Sequence, residues 1–195
     1  MDGENPSTTS GDLTPRAVAF VAGEEGLVRE AYLDSENVWT WALGVTNASG
    51  HLVFPRYRDN PQPLDACVEV SIWLMRKRYL PLVASAFHGH ALAEHQLAAA
   101  LSFHWNTGAI GRASWVKSFL AGDIAKARSE FMQWRNPVSI IERRRRELDL
   151  FFEGKWPAKL GRVPVWRVAK PSYRPKGSTP VELLPVIERI MREKP

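Results

Sequence analysis

The sequence predicts an α+β fold in which an N-terminal helix and a small antiparallel sheet precede a mainly helical lobe. Three observations carry this expectation. A helix-start signal stands at Thr14 and Pro15, and strand formers broken by turn clusters fill residues 31–53. Helical patterning then runs almost unbroken from Pro63 to Gly154.

Residues 1–13 offer little to bury and read as a flexible tail. Thr14 then supplies a hydroxyl cap, and Pro15 sits where its missing N–H costs nothing. Ala17, Phe20 and Val21 give this helix an apolar face. Gly23 and Gly26 bracket Glu24 and Glu25, so the helix should end there and leave the two acids at its C-terminal mouth. From Ala31 to about Val53, the strand formers Tyr32, Val38, Trp39, Thr40, Trp41 and Val45 alternate with turn clusters at 34–37 and 47–50, which predicts two or three strands. Pro55, Pro61 and Pro63 mark an irregular connection. One long helix is expected over 64–79, then others over 94–105, 114–120, 124–134 and 139–152, punctuated by Gly108, Gly111, Gly122 and Pro137. Residues 156–195 are a separate, proline-bearing segment ending in an amphipathic helix over 181–191. About 40 residues without a disulfide or metal rarely fold alone, so this segment is expected to dock on the domain spanning 14–155.

Composition narrows the function classes. Of the 195 residues 45% are hydrophobic, including Trp 8 and Phe 8, enough for a packed core and against whole-chain disorder. Cys67 is the only cysteine, so no intrachain disulfide can form. No apolar run approaches the roughly 20 residues that cross a bilayer. The first residues carry acids and hydroxyls where a secretory leader would carry basic residues and then an apolar stretch. A protein of this kind that acts outside the cytoplasm needs something else to let it out. The net charge of +5 and pI near 9.6 favour association with polyanions without naming one. No helix-turn-helix, RNP or zinc-finger pattern favours nucleic acid.

Two carboxylates stand out. Hydrolysis of a glycoside requires one carboxylic acid to protonate the leaving oxygen and a second carboxylate on the opposite face. Their environments should differ, so that one holds its proton while the other is ionised. Glu25 lies at a helix C-terminus, where the dipole disfavours negative charge. Asp34 lies in a turn-rich hairpin, open to water and to backbone N–H donors, which favours the anion. Thr40 follows on the next strand, where its hydroxyl could hold a water against Asp34. Taken alone, two acids nine residues apart are more often solvated surface groups.

The run EGLVREAYLDSENVWT over 25–40 resembles the signature of the phage lysozymes, glycoside hydrolase family 24: a Glu, an Asp nine residues on, and a Thr six further. The spacing selects Glu25 over Glu24. Downstream, LSFHWNTG over 101–108 resembles the family's buried helix ending in an amide–x–Gly, and IERRRRE over 141–147 resembles its closing Arg-Arg helix. The resemblance covers roughly residues 14–155. It implies a lysozyme-like α+β fold and hydrolysis of the β-1,4 bond between N-acetylmuramic acid and N-acetylglucosamine. Glu25 would be the general acid, Asp34 and Thr40 would manage the attacking water with inversion, and Asn106 and Gly44 would meet the sugar. It also implies an endolysin that waits in the host cytoplasm, is released with the help of a separate pore-forming protein and acts on the cell wall in the periplasm. A monomer is expected, with peptidoglycan as partner, no nucleic acid, no membrane insertion, no cofactor and no metal.

One departure is plain: after the threonine the family carries Gly-x-Gly-His, whereas here the run is ALGV over 42–45, with Val45 at the histidine's place. Residues 156–195 lie outside the resemblance. Two other readings therefore stay open: a non-catalytic wall-binding protein on the same fold, and a lytic transglycosylase, which would need neither Asp34 nor Thr40. Asn106 could cap a helix before Gly108. His88 and His90 read as exposed turn histidines, His104 as a satisfied core histidine, Arg143–Arg146 as a structural helix with surface charge, and Trp39 and Trp41 as packing residues.

Overall fold

The signal at Thr14 is realised in the first turn, where Ala17 N–H donates to Thr14 Oγ1 at 3.2 Å. The computed structural model describes residues 11–194. Helix α1 (Pro15–Glu25) leads into strands β1 (Leu27–Leu33), β2 (Trp39–Ala42) and β3 (Val45–Thr46). Next come α2 (Leu64–Leu74), a π-helical turn over Met75–Tyr79, and α3 (Leu80–Ala86). Helices α4 (Glu94–Thr107), α5 (Ser114–Leu120), α6 (Ile124–Phe131) and α7 (Ile141–Glu153) follow. The chain ends with β4 (Arg162–Ala169), β5 (Arg174–Glu182) and α8 (Leu184–Glu193). The flexible tail expected over 1–13 falls mostly outside the described residues; of its last three, Leu13 is buried.

The described residues form two compact units: 11–21 with 76–158, and 22–75 with 159–194. The second contains a five-stranded sheet in the order β3-β2-β1-β4-β5. Its first three strands pair antiparallel, as the sequence predicts, but β4 lies parallel to β1, so the sheet is mixed rather than antiparallel. The two C-terminal strands are the main departure from expectation. Their prolines argue against a ladder, yet Pro164 stands opposite Pro180, and β5 is an edge strand along which a missing N–H is tolerated. The amphipathic helix in this segment begins at Leu184, three residues later than expected, because β5 runs to Glu182. Leu27, Val28, Trp41, Leu43, Val45, Ile72, Val163 and Ile187 are all buried in this unit. Ion pairs of Arg189 with Asp65 at 2.7 Å and Lys194 with Glu69 at 2.9 Å join α8 to α2.

The helical unit is organised around aromatic rings. Phe87, Phe103, Trp115, Phe131 and Phe151 are fully buried and meet at centroid distances of 4.7–6.0 Å, three of the pairs edge to face and the others tilted or stacked. Trp156 packs edge-on against Phe20 at 6.2 Å, beneath the Arg16 guanidinium. The single long helix expected over 64–79 is instead α2 followed by the π-helical turn, a change of pitch that apolar periodicity does not report.

Candidate active site

Glu25 is the last residue of α1 and is half-buried. The helix stops behind it because Gly26 turns left-handed at φ +70°, while its N–H still donates to Ala22 O at 2.9 Å. That glycine has a second use: a Cβ there would stand 2.8 Å from Trp166 Nε1 on β4. From this point the chain enters β1. Val28 faces Ala42 and Tyr32 faces Thr40, so four steps along β1 match two along β2, a bulge that curls the strand between the two acids.

Asp34 heads the turn that follows β1. Asn37 N–H donates to its carbonyl at 3.0 Å, and its own N–H donates to Val38 O at 3.1 Å. One carboxylate oxygen, Oδ1, accepts from the amides of Glu36 at 3.0 Å and Val38 at 2.9 Å. The other, Oδ2, accepts from the Thr40 hydroxyl at 3.0 Å, with Val38 O at 3.1 Å as that hydroxyl's second acceptor. Thr40 is 3% exposed and sits at a register position opposite both Tyr32 and Thr46. The carboxylate is therefore fixed at both oxygens, and the Thr40 oxygen keeps lone pairs for another donor.

Tyr32 is a residue the sequence reading passed over. Burial, and after it the nearby charges of Glu25 and Asp34, push its phenol far above the ordinary range. Both acids thus act on one phenolic group, which stays protonated at any physiological pH. The only sequence signal was its place within the AYLD run before Asp34. Gly44 occupies the turn between β2 and β3 at φ +86°, beside Val45, which is fully buried opposite Trp41. Trp41 donates from Nε1 to Arg29 O at 2.9 Å and stacks on Tyr57 at 3.9 Å, so it is a core residue. Trp39 stacks on Phe54 at 4.7 Å.

Asn106 belongs to the helical unit, whereas Glu25, Tyr32, Asp34, Thr40 and Gly44 belong to the sheet-bearing one. Asn106 does not cap α4, a role taken by Gly108 at φ +63°. Its Oδ1 accepts from Arg144 Nη2 at 2.6 Å, and the residue lines a cavity of about 380 Å³ with Gln133, Trp134, Asn136 and Ile140. Arg143 and Arg144 correct the surface-charge reading of their helix: both are buried, while Arg145 and Arg146 are exposed, Arg145 being paired with Glu142 at 2.5 Å. They converge on Glu147, whose Oε1 accepts from Arg143 Nε at 2.9 Å and Ser102 Oγ at 2.6 Å, while Arg144 Nη1 reaches Oε2. Complete burial pushes the Glu147 carboxyl upward against the pull of both guanidinium groups. His104 is buried as expected but is not satisfied, since neither ring nitrogen has a partner among the described residues. No cluster of three or more His, Cys, Asp or Glu side chains able to hold a metal occurs among the described residues, and no described helix is long and apolar enough to cross a membrane.

The family model described as phage lysozyme matches residues 22–147, more than half of the chain. No curated protein matches it. Among solved structures, an endolysin from Escherichia coli O157:H7 phage FAHEc1 superposes with a TM-score of 0.64 at 19% identity, covering 77% of this chain and 99% of that one. The muramidase domain of SpmX from Asticaccaulis excentricus gives 0.55 at 22% identity, with 72% and 97% covered. A variant of P22 lysozyme gives 0.60 at 19%, with 73% and 99% covered. The fold is thus that of the lysozymes.

Proposed function

The chain belongs to the phage lysozyme family and is a peptidoglycan-degrading lysozyme, and from that premise we propose how it cuts: by hydrolysing the β-1,4 bond between N-acetylmuramic acid and N-acetylglucosamine with inversion. The observation that carries this reading is the doubly anchored Asp34 carboxylate with the Thr40 hydroxyl on its Oδ2 at 3.0 Å. In the proposed reaction Glu25 gives its proton to the glycosidic oxygen as the bond to the anomeric carbon breaks. A water held by Asp34 and Thr40 attacks that carbon from the opposite face, and Asp34 takes the water's proton. The two sugar chains leave as a hemiacetal and an alcohol; Asp34 releases the proton it took to solvent, and Glu25 regains one from solvent.

Fixing Asp34 with two main-chain amides and a hydroxyl suits a group that must aim a water, because reorganisation during the reaction would add to the barrier. The Tyr32 phenol, a neutral donor close to both acids, can hold the sugar or the water without competing for a proton. Asn106 and its amide- and indole-lined cavity suit the hydroxyl and acetamido groups of an amino sugar, and Gly44 leaves its turn open to one. The setting we infer is host lysis: a monomer accumulates in the cytoplasm, a pore-forming protein lets it out, and it acts on the wall.

The test is reducing-end release from purified walls. Glu25→Gln should remove it while the melting temperature stays near that of wild type, and Asp34→Asn should be severe. A folded Glu25→Gln protein within tenfold of wild type would end the assignment. Products carrying anhydro ends instead of reducing ends would make the enzyme a transglycosylase and take Asp34 and Thr40 out of the chemistry.

A further inference from the structure

The sheet's C-terminal hairpin, residues 162–182, lies wholly outside the family match, yet it grips the turn that carries Asp34. Arg174 Nη1 donates to the carbonyl oxygens of Leu33, at 3.2 Å, and of Asp34, while Nη2 donates to Asn37 Oδ1. Next to it Tyr173 O accepts the Leu33 N–H at 2.7 Å. The same hairpin turn is fastened on its other side. Tyr173 OH donates to Asp59 Oδ2 at 2.8 Å and its ring stands edge-on to Trp39 at 5.2 Å. Lys170 Nζ pairs with Glu30 at 2.8 Å and Asp59 at 2.6 Å.

We propose that Arg174 is a positioning residue for the hydrolytic reaction, holding the main chain of residues 33–37 so that the Asp34 carboxylate is presented in its working place. This rests on the reading of Asp34 as the group that directs the water. The amides that anchor Asp34 Oδ1 belong to Glu36 and Val38, so their direction depends on the path of the turn. Arg174 fixes that path at three acceptors spanning five positions, 33–37. One of them is the side chain of Asn37, which the turn forces into the left-handed region at φ +60°. A planar guanidinium can serve two carbonyls and an amide together; an ammonium on a flexible stem cannot. A turn released from this grip moves Asp34 and its bond to Thr40, and a shift of about 1 Å in a reacting group costs on the order of a hundredfold in rate.

The test is steady-state kinetics on a soluble wall oligosaccharide, per folded molecule. Arg174→Ala should lower kcat by roughly ten- to a hundredfold with little change in KM, and Arg174→Lys should recover little of it. Asn37→Gly keeps the left-handed backbone but removes the acceptor, so it should lower kcat in the same direction, while Asn37→Asp should retain activity. The double variant Arg174→Ala with Asn37→Gly should lose less than the product of the single losses, since both remove the Arg174–Asn37 contact. Arg167→Ala, on the exposed face of the same hairpin, should leave kcat unchanged. Wild-type kcat in both Arg174→Ala and Asn37→Gly, or losses confined to melting temperature, would overturn the inference. An inactive Asp34→Asn beside a fully active Arg174→Ala would sink this inference alone, whereas an active Asp34→Asn would sink the proposed function beneath it.

Discussion

Thr40 Oγ1 donates to Asp34 Oδ2 at 3.0 Å, and the same hydroxyl has Val38 O at 3.1 Å as its other acceptor. The hydroxyl proton is committed to these two acceptors, and the oxygen keeps lone pairs to accept from another donor. Thr40→Ala should therefore lower kcat by about a hundredfold, while Thr40→Ser, which restores the hydroxyl, should recover most of that loss. A Thr40→Ala enzyme with near-normal kcat would make the residue a strand former only.

The Glu147 cluster predicts a large stability effect well away from the chemistry. Glu147→Ala would remove the buried carboxylate on which Arg143 and Arg144 converge, at a cost of about 3–5 kcal/mol. Because Arg144 also holds Asn106 Oδ1, the amide that lines the cavity should loosen at the same time. Urea unfolding measures the first effect, and a raised KM on oligosaccharide the second.

Three histidines set an acid limit on stability. Burial lowers His104, His51 and His95 from the ordinary value of 6.5; for His51 Arg56 adds to the effect, and for His95 Arg16 adds while Glu94 opposes. A histidine depressed in the folded state binds its proton more readily when unfolded. Its contribution is therefore complete above pH 6.5 and is lost as pH falls through and below that value. Melting temperature should fall between about pH 7 and about pH 5, and His104→Phe should make that fall shallower. An unchanged acid slope in His104→Phe would contradict the prediction.

What the sequence could and could not reveal follows from the range of the interactions. The end of α1 at Glu25, the start of α4 at Glu94 and the Glu25, Asp34 and Thr40 spacing are local, and each was legible in residue type and position. The strands β4 and β5 were not, because Pro164, Pro171, Pro175 and Pro180 argue against strands unless their partners are known. The pairing of Leu27 with Val165 spans most of the chain and leaves no local mark. Arg144 read as surface because an arginine is almost never fully buried without partners; Glu147 is local, but Asn106 and Trp134, which also accept from the guanidinium, come from other elements. Arg174 was invisible for the same reason: its three acceptors lie some 140 positions upstream.

Gly26 should tolerate no side chain. Gly26→Ala would combine a left-handed backbone at φ +70° with a Cβ 2.8 Å from Trp166 Nε1 and 3.3 Å from Pro164 O. A loss of about 1–3 kcal/mol is expected from the backbone strain alone, measured by thermal unfolding. Since Glu25 is the preceding residue, kcat per folded molecule should fall as well.

The measurement that tests the account most directly is NMR of fresh digests, read before mutarotation. If Asp34 and Thr40 hold a water beneath the sugar, the β-linked strand is opened with inversion and the first-formed reducing end is the α-anomer. A β-anomer appearing first would mean that Asp34 itself attacks the anomeric carbon, and that Thr40 does something other than hold the water.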